Sequence, residues 1–399
     1  MKKSLARRRL LVEGLERREL LAGNVLVAVT NGSVTVTGDE TANRITITQQ
    51  ANGRFTIAGL DEENITGPTT DLVIRNLTVN LLGGDDVLLV SGQEIGDVTL
   101  PAQIIGTTRV NGGDGADLLN VSVVGRQVGT FILPAVAITI DGGAVAAGSE
   151  DPQDDTAILA NSAGGIVTVR TGVGNDIIDI NNLVALNLNV ESGGSNGATD
   201  IDVVGLTAVA ALNATINLGR NSSGNTLDIT GGLFGTLQAN GGNGTDTVLM
   251  NDTLGGLSLT LNTYDGADFV NLTGVRAGLT SADYVELANL VIQSFDINLS
   301  LLPFDLLTLI SRLPALPGFL TISTGEGDDI VTATDLVSTL AIYMYLDGGD
   351  DRLTAAGVDS TIAFFFGGAG NDERLVTDVT ALSELELQFE TLLPQAPST

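Results

Sequence analysis

The sequence contains no cysteine, no histidine and no tryptophan. Without cysteine there is no disulfide, no thiolate nucleophile and no zinc–thiolate site. Without histidine there is no Ser-His-Asp triad, no imidazole shuttle and no His–metal site. A chain without disulfides is compatible with secretion but is not assigned to it. Positive charge is also scarce. Eighteen basic residues face 48 acids, a formal net charge of −30. Seven of the basic residues fall at the start: Lys2, Lys3, Arg7, Arg8, Arg9, Arg17 and Arg18. The first 22 residues hold three acids, so the rest has 45 acids, 11 arginines and no lysine. Such a body repels nucleic acid and anionic membranes, attracts cations, and stays soluble.

Glycine and apolar residues are plentiful. There are 50 glycines, and 43% of the 399 residues are hydrophobic, enough to bury a large core. By length alone the chain would hold two or three domains, an expectation that fails for repeat proteins.

Residues 1–22 read MKKSLARRRLLVEGLERRELLA. The basic start has the character of a secretion-signal n-region, but Glu13, Glu16, Arg17, Arg18 and Glu19 interrupt the apolar part. The segment is therefore neither a transmembrane helix nor an ordinary signal peptide. Leu10, Leu11, Leu15 and Leu20 approximate helical spacing and predict a short amphipathic helix. Leu15 to Ala22, LERRELLA, resembles the LEPR-XLL segment of exported or surface proteins of certain bacteria, with Arg17 where that family has proline. The resemblance implies an extracellular or cell-surface location, with residues 1–23 as an export or sorting segment.

Gly-x-Asp followed by an apolar run recurs along the body. It appears in LLGGDDVLL (81–89), GGDGADLLN (112–120), TGVGNDIID (171–179), GGNGTDTVL (241–249) and TYDGADFVN (263–271). Three more copies are TGEGDDIVT (324–332), LDGGDDRLT (346–354) and GGAGNDERL (367–375). Weaker echoes lie at 37–47, 196–203 with Asp200, and 223–229. Asp246 to Asp268 and Asp329 to Asp351 are 22 residues each, and Asp351 to Asp372 is 21. A period of this size predicts an all-β, single-stranded parallel β-solenoid with one coil per 22 residues, over residues 24–391. Runs such as LAIYMYL (340–346) alternate apolar and smaller or polar residues, the strand signal. Longer gaps predict insertions near 141–156 and 273–320. The second includes the apolar, Pro-bounded stretch 301–319, expected to pack on the flank of the fold. Residues 392–399 are expected to be a disordered tail.

These motifs resemble the hemolysin-type (RTX) calcium-binding nonapeptide, GGxGxDx-apolar-x. The copies at 112–120 and 241–249 match throughout, while 367–375 puts Arg374 where an apolar residue belongs. The copies at 171–179 and 324–332 lack only the first glycine. The resemblance implies several Ca²⁺ sites. Their ligands would be the carboxylates of Asp117, Asp176, Asp246, Asp329 and Asp372, then Asp86, Asp268 and Asp351. The implied carbonyl ligands are those of Gly113, Gly115, Gly172, Gly174, Gly242, Gly244, Gly325, Gly327, Gly368 and Gly370. Calcium takes six to eight oxygens in irregular geometry, which Gly-rich turns can offer. Carboxylates stacked about 5 Å apart repel by roughly 3 kcal/mol at an effective dielectric near 20, a cost that a cation would remove. The RTX tandem repeats every nine residues, whereas here the motif occurs once per coil, so one edge at most carries ions.

Two other readings stand beside this one. Gly-x-Asp could make Asx-type turns in an ion-free solenoid, with Asp or Asn accepting backbone N–H groups, as Asn43, Asn221 and Asn225 suggest. Alternatively, paired acids could serve a pectate lyase-like or glycoside hydrolase-like enzyme, an argument from fold analogy alone. Acids grouped with arginine in one lateral groove would favour the enzyme, and a single file of aspartates would oppose it. Arg109, Arg170, Arg352 and Arg374 are expected to pair with neighbouring carboxylates. The sequence thus predicts a non-enzymatic, monomeric, calcium-stabilised structural or adhesive protein. Its partners would be polysaccharide or other surface and matrix proteins, without nucleic acid or a transmembrane segment.

Overall fold

A computed structural model describes residues 23–60, 63–95, 98–128, 131–143, 153–193, 201–219, 224–280, 283, 315–389 and 391–392. The N-terminal export segment and the tail from 393 lie outside the described residues, as do 144–152 and 284–314 within the two expected insertions. Every named element is a strand, and 24 strands belong to one sheet. The fold is all-β and dominated by parallel pairing.

The chain begins with two antiparallel hairpins, Asn24–Thr30 with Ser33–Thr37 and Arg44–Gln49 with Phe55–Gly59. Parallel pairing follows. Asn76–Gly83 lies on Ser33–Thr37, Val87–Ser91 on Arg44–Gln49, and Thr107–Asp114 on Asn76–Gly83. Further on the strands lengthen. Thr156–Arg170 pairs with Ile177–Glu191, which pairs with Val203–Asn217. Near the C-terminus Ile330–Tyr345, Arg352–Phe366 and Glu373–Leu387 pair in succession. The 21–22-residue spacing of the motifs reappears here as the register: Val331 pairs with Leu353, and Leu353 with Arg374.

The register fixes which side chains stack. Ile178, Val204, Leu227, Val248, Val270, Val331 and Leu353 form one column of successive partners, each fully buried. Val169, Val190, Ile216, Ala239, Leu261, Ile322, Met344 and Phe365 form another. Period-2 alternation sends these residues inward and their neighbours outward. Val, Ile and Leu suit the purpose because branched side chains pack well on a pleated surface. On the outer face, Tyr343, Tyr345, Phe364 and Phe366 form a cluster with ring centroids 5.5–6.4 Å apart. Phe365 is among the largest fully buried side chains. Phe365→Ala should cost about 3–5 kcal/mol in urea unfolding, because the rungs on either side cannot close the cavity without breaking register.

The two insertions enter the ladder differently. The first ends inside it, because Thr156 already pairs with Leu118. The second adds no level. Leu254–Asn262 pairs with Arg276–Ala277 before the excursion and with Phe319–Ser323 after it. Leu279 and Leu316 close the neck through two backbone hydrogen bonds. Arg276 pairs with Asp283 at 2.5 Å, and Asp283 also accepts the Thr280 N–H and hydroxyl.

Candidate functional site

The motif aspartates begin the strands, and their parity decides where they point. Asp246 is followed at even steps by Val248 and Met250, and Asp268 by Val270 and Leu272, all buried. The aspartate therefore belongs to the inward set. All eight expected aspartates are buried, between 0 and 2% exposed. That placement differs from an open corner, and the parity of the two following apolar residues is the sequence signal that reveals it.

Backbone and carboxylate are joined from rung to rung. The N–H of Asn43 donates to Oδ1 of Asp86 at 2.5 Å, and that of Asp86 to Asp117 at 2.9 Å. The pattern continues from Asp117 to Asp155, Asp155 to Asp176 and Asp176 to Asp202, at 2.8–3.1 Å. It passes from Asp202 to Asn225, Asn225 to Asp246, Asp246 to Asp268 and Asp268 to Asp329, at 2.7–3.0 Å. Asp329 to Asp351 and Asp351 to Asp372, at 2.9 and 3.0 Å, complete it. All eight expected aspartates therefore share one file, along with four residues outside that set: Asn43, Asp155, Asp202 and Asn225. Asp155 lacks a preceding Gly-x, which hid it. Asp202, not the echo residue Asp200, is the member at that level; Asp200 and Asn221 lie outside the described residues.

A second file runs beside the first in the opposite sense. The exposed residue just before the buried one accepts an N–H from the following level: Asp85 from Ala116, Asp154 from Asn175, Asn175 from Ile201, Asp328 from Asp350, and Asp350 from Asn371, at 2.9–3.2 Å. The paired acids thus have separate roles. One ties the level before it, and the other ties the level after.

The second carboxyl oxygen explains the variation at the first motif position. A Cβ on Gly112 or Gly241 would lie 2.0 or 2.2 Å from Oδ2 of Asp117 or Asp246. Where threonine takes that place, Thr263 and Thr324 bring their hydroxyls beside Asp268 and Asp329. Each hydroxyl already donates to a carbonyl, Thr263 to Thr324 at 3.2 Å and Thr324 to Leu346 at 3.3 Å. It can then only accept from the carboxyl, which requires the carboxyl to carry the proton. Oδ2 of Asp86, Asp268, Asp329 and Asp351 is buried with no donor to accept from. Asp246 differs, because its Oδ2 accepts the Gly242 N–H at 2.6 Å.

Electrostatics agree with this geometry. Burial, reinforced by neighbouring aspartates, pushes Asp86 and Asp329 up to about 8 and Asp268 and Asp351 up to about 7. Burial also raises Asp246 despite its hydrogen bonds. Asparagine at two positions of the file meets the same N–H with a neutral acceptor. The arrangement can therefore hold protons at neutral pH and needs no formal charge to tie its levels.

The donor set fits a calcium cage poorly. Oδ1 along the file is already an N–H acceptor. Gly325 O accepts the Gly348 N–H at 3.0 Å. The glycine backbones close directly on one another, leaving 1.9 Å between Gly327 O and the position a Cβ on Gly349 would take. Among the described residues, no group of three or more acidic side chains converges as a metal site. Of the motif-adjacent arginines, Arg170 pairs with Glu191 at 2.8 Å and Arg374 with Glu386. No protein-family model, curated protein or solved structure matches the chain.

Proposed function

We propose that the chain is a parallel β-solenoid serving as a stiff, extended structural or adhesive element outside the cell, with its levels tied by a largely protonated aspartate file. The observation that carries this reading is the unbroken run of eleven side-chain-to-backbone hydrogen bonds from Asn43 to Asp372. At about 4.8 Å per step, that file spans roughly 53 Å. A single buried file suits architecture better than a catalytic groove, because its carboxyls face the interior and repeat at every level. The acidic exterior, the lack of cysteine and the LEPR-XLL-like start support an exported location. Polysaccharide or other matrix components are the partners this reading implies.

Thermal unfolding followed by circular dichroism tests the proton against the cation. The melting temperature at pH 6 should agree within about 2 °C between excess chelator and millimolar calcium, since a ligand stabilises only by preferring the folded state. A calcium-dependent rise of ~10 °C or more would return the file to the RTX-like cation reading. Solution scattering from a sphere rather than a rod would remove the solenoid altogether.

A further inference from the structure

The last level of the ladder breaks a rule that the levels before it keep. The column through Val331 and Leu353 ends at Arg374. The column through Met344 and Phe365 ends at Glu386, and that through Ile342 and Ala363 ends at Glu384. Three inward columns thus change from buried apolar residues to charges on one strand, Glu373–Leu387. That strand is also an edge. Among the described residues only Thr391–Leu392 follows it, pairing with Glu373 and Arg374 alone out of its 15 residues. Val376, Val379 and Ala381 sit partly buried on its inner side, with Phe389 stacked over the Arg374 guanidinium at 5.8 Å. At the other end of the chain, the antiparallel hairpins present only the short strands Phe55–Gly59 and Asn64–Thr66.

A long, regular parallel edge is a template for another strand, and inward-pointing charge is one means of blocking it. We propose that the C-terminal end of the stack is a self-association surface for a second copy of this chain, held closed by Arg374, Glu384 and Glu386. A partner seated there would carry these groups into a dry interior. Arg374 and Glu386 already pair with each other, so a second copy offers them nothing that replaces lost water. Glu384 has no such compensation in the interface and contributes the strongest block. With the charges removed, the fitting partner is the same end of another molecule, because the edge strand then offers it backbone groups and an apolar inner face. Two such ends make an isologous, closed contact, so the product is a dimer and not a fibre.

This inference rests on the solenoid reading, and the experiment separates the two. The full-length protein and its R374L/E384L/E386L variant are compared by sedimentation and negative-stain imaging. Unmodified protein should be single rods. At about 10 µM, the variant should be more than half dimer, seen as rods of twice the length. A charge-conserving R374K/E384D/E386D variant should remain single. A folded triple-leucine variant that stays monomeric, one that clumps side by side, or dimers of the charge-conserving variant would overturn the proposal. If the triple variant does not fold, E384L alone decides it, with partial end-to-end dimer expected and none overturning. Unmodified protein that is not rod-shaped would instead defeat the solenoid reading itself.

Discussion

Raising the pH from 5 to 9 in the presence of chelator should lower the melting temperature by ~10 °C or more. The sign follows from the buried file. Asp86, Asp268, Asp329 and Asp351 titrate near 7–8 in the folded chain, against 3.8 for an ordinary aspartate. Between about pH 4 and pH 8 the folded state therefore binds more protons than the unfolded state, so stability falls as pH rises through that window. Above it the loss levels off. Each unit of displacement is worth about 1.4 kcal/mol per group, and the groups titrate as a coupled set because their carboxyls are successive neighbours. Asp329→Asn isolates the cause. The amide oxygen keeps the acceptor for the Asp268 N–H, and the amide nitrogen can donate to Thr324 where the proton stood. This variant should melt higher than the parent at pH 9 and show a shallower pH profile. A melting temperature constant from pH 5 to 9 in both proteins would show that the file carries no titrating protons.

Gly349→Val should destabilise the chain by ~3 kcal/mol or more and unfold its C-terminal levels first. Gly349 has φ of 143°, outside the range of branched residues, and its Cβ would stand 1.9 Å from the Gly327 carbonyl oxygen. That oxygen is backbone and cannot rotate away. The ladder could accommodate valine only by separating two levels, which would also break the Asp329–Asp351 hydrogen bond beside it. Gly53→Ala provides the contrast. Its φ of 77° is left-handed too, but nothing lies within 4 Å, so the cost should be about 1 kcal/mol. Urea unfolding of both variants checks the difference. Equal losses would mean that backbone conformation alone, and not close approach between levels, sets the need for glycine.

Much of this architecture was legible in the chain because its physics repeats. The 22-residue spacing of Asp329 and Asp351 marked the period, and alternation from Leu340 to Leu346 marked a strand. The direction of the aspartates was less visible. Their likeness to a calcium motif drew attention to charge and glycine, whereas their step-of-two relation to Val270 and Leu272 placed them inside. Asp155 escaped because the motif there has lost its glycines, yet its backbone still meets Asp176. Asp202 was obscured by Asp200, two residues away and of the same parity. Arg374 stood out as a misfit. Its reason required the register, which sets it on Leu353 and at the end of a column.

The outward cluster of Tyr343, Tyr345, Phe364 and Phe366 has an optical consequence. The chain has no tryptophan and four tyrosines, two of them in this cluster. Ultraviolet emission will therefore be weighted toward the C-terminal third. A stack held by nearest-neighbour contacts can fray from one end before the rest gives way. Emission should then change ahead of the far-ultraviolet dichroism on heating, and the interval between the two curves would measure how far melting has travelled inward from the last rungs.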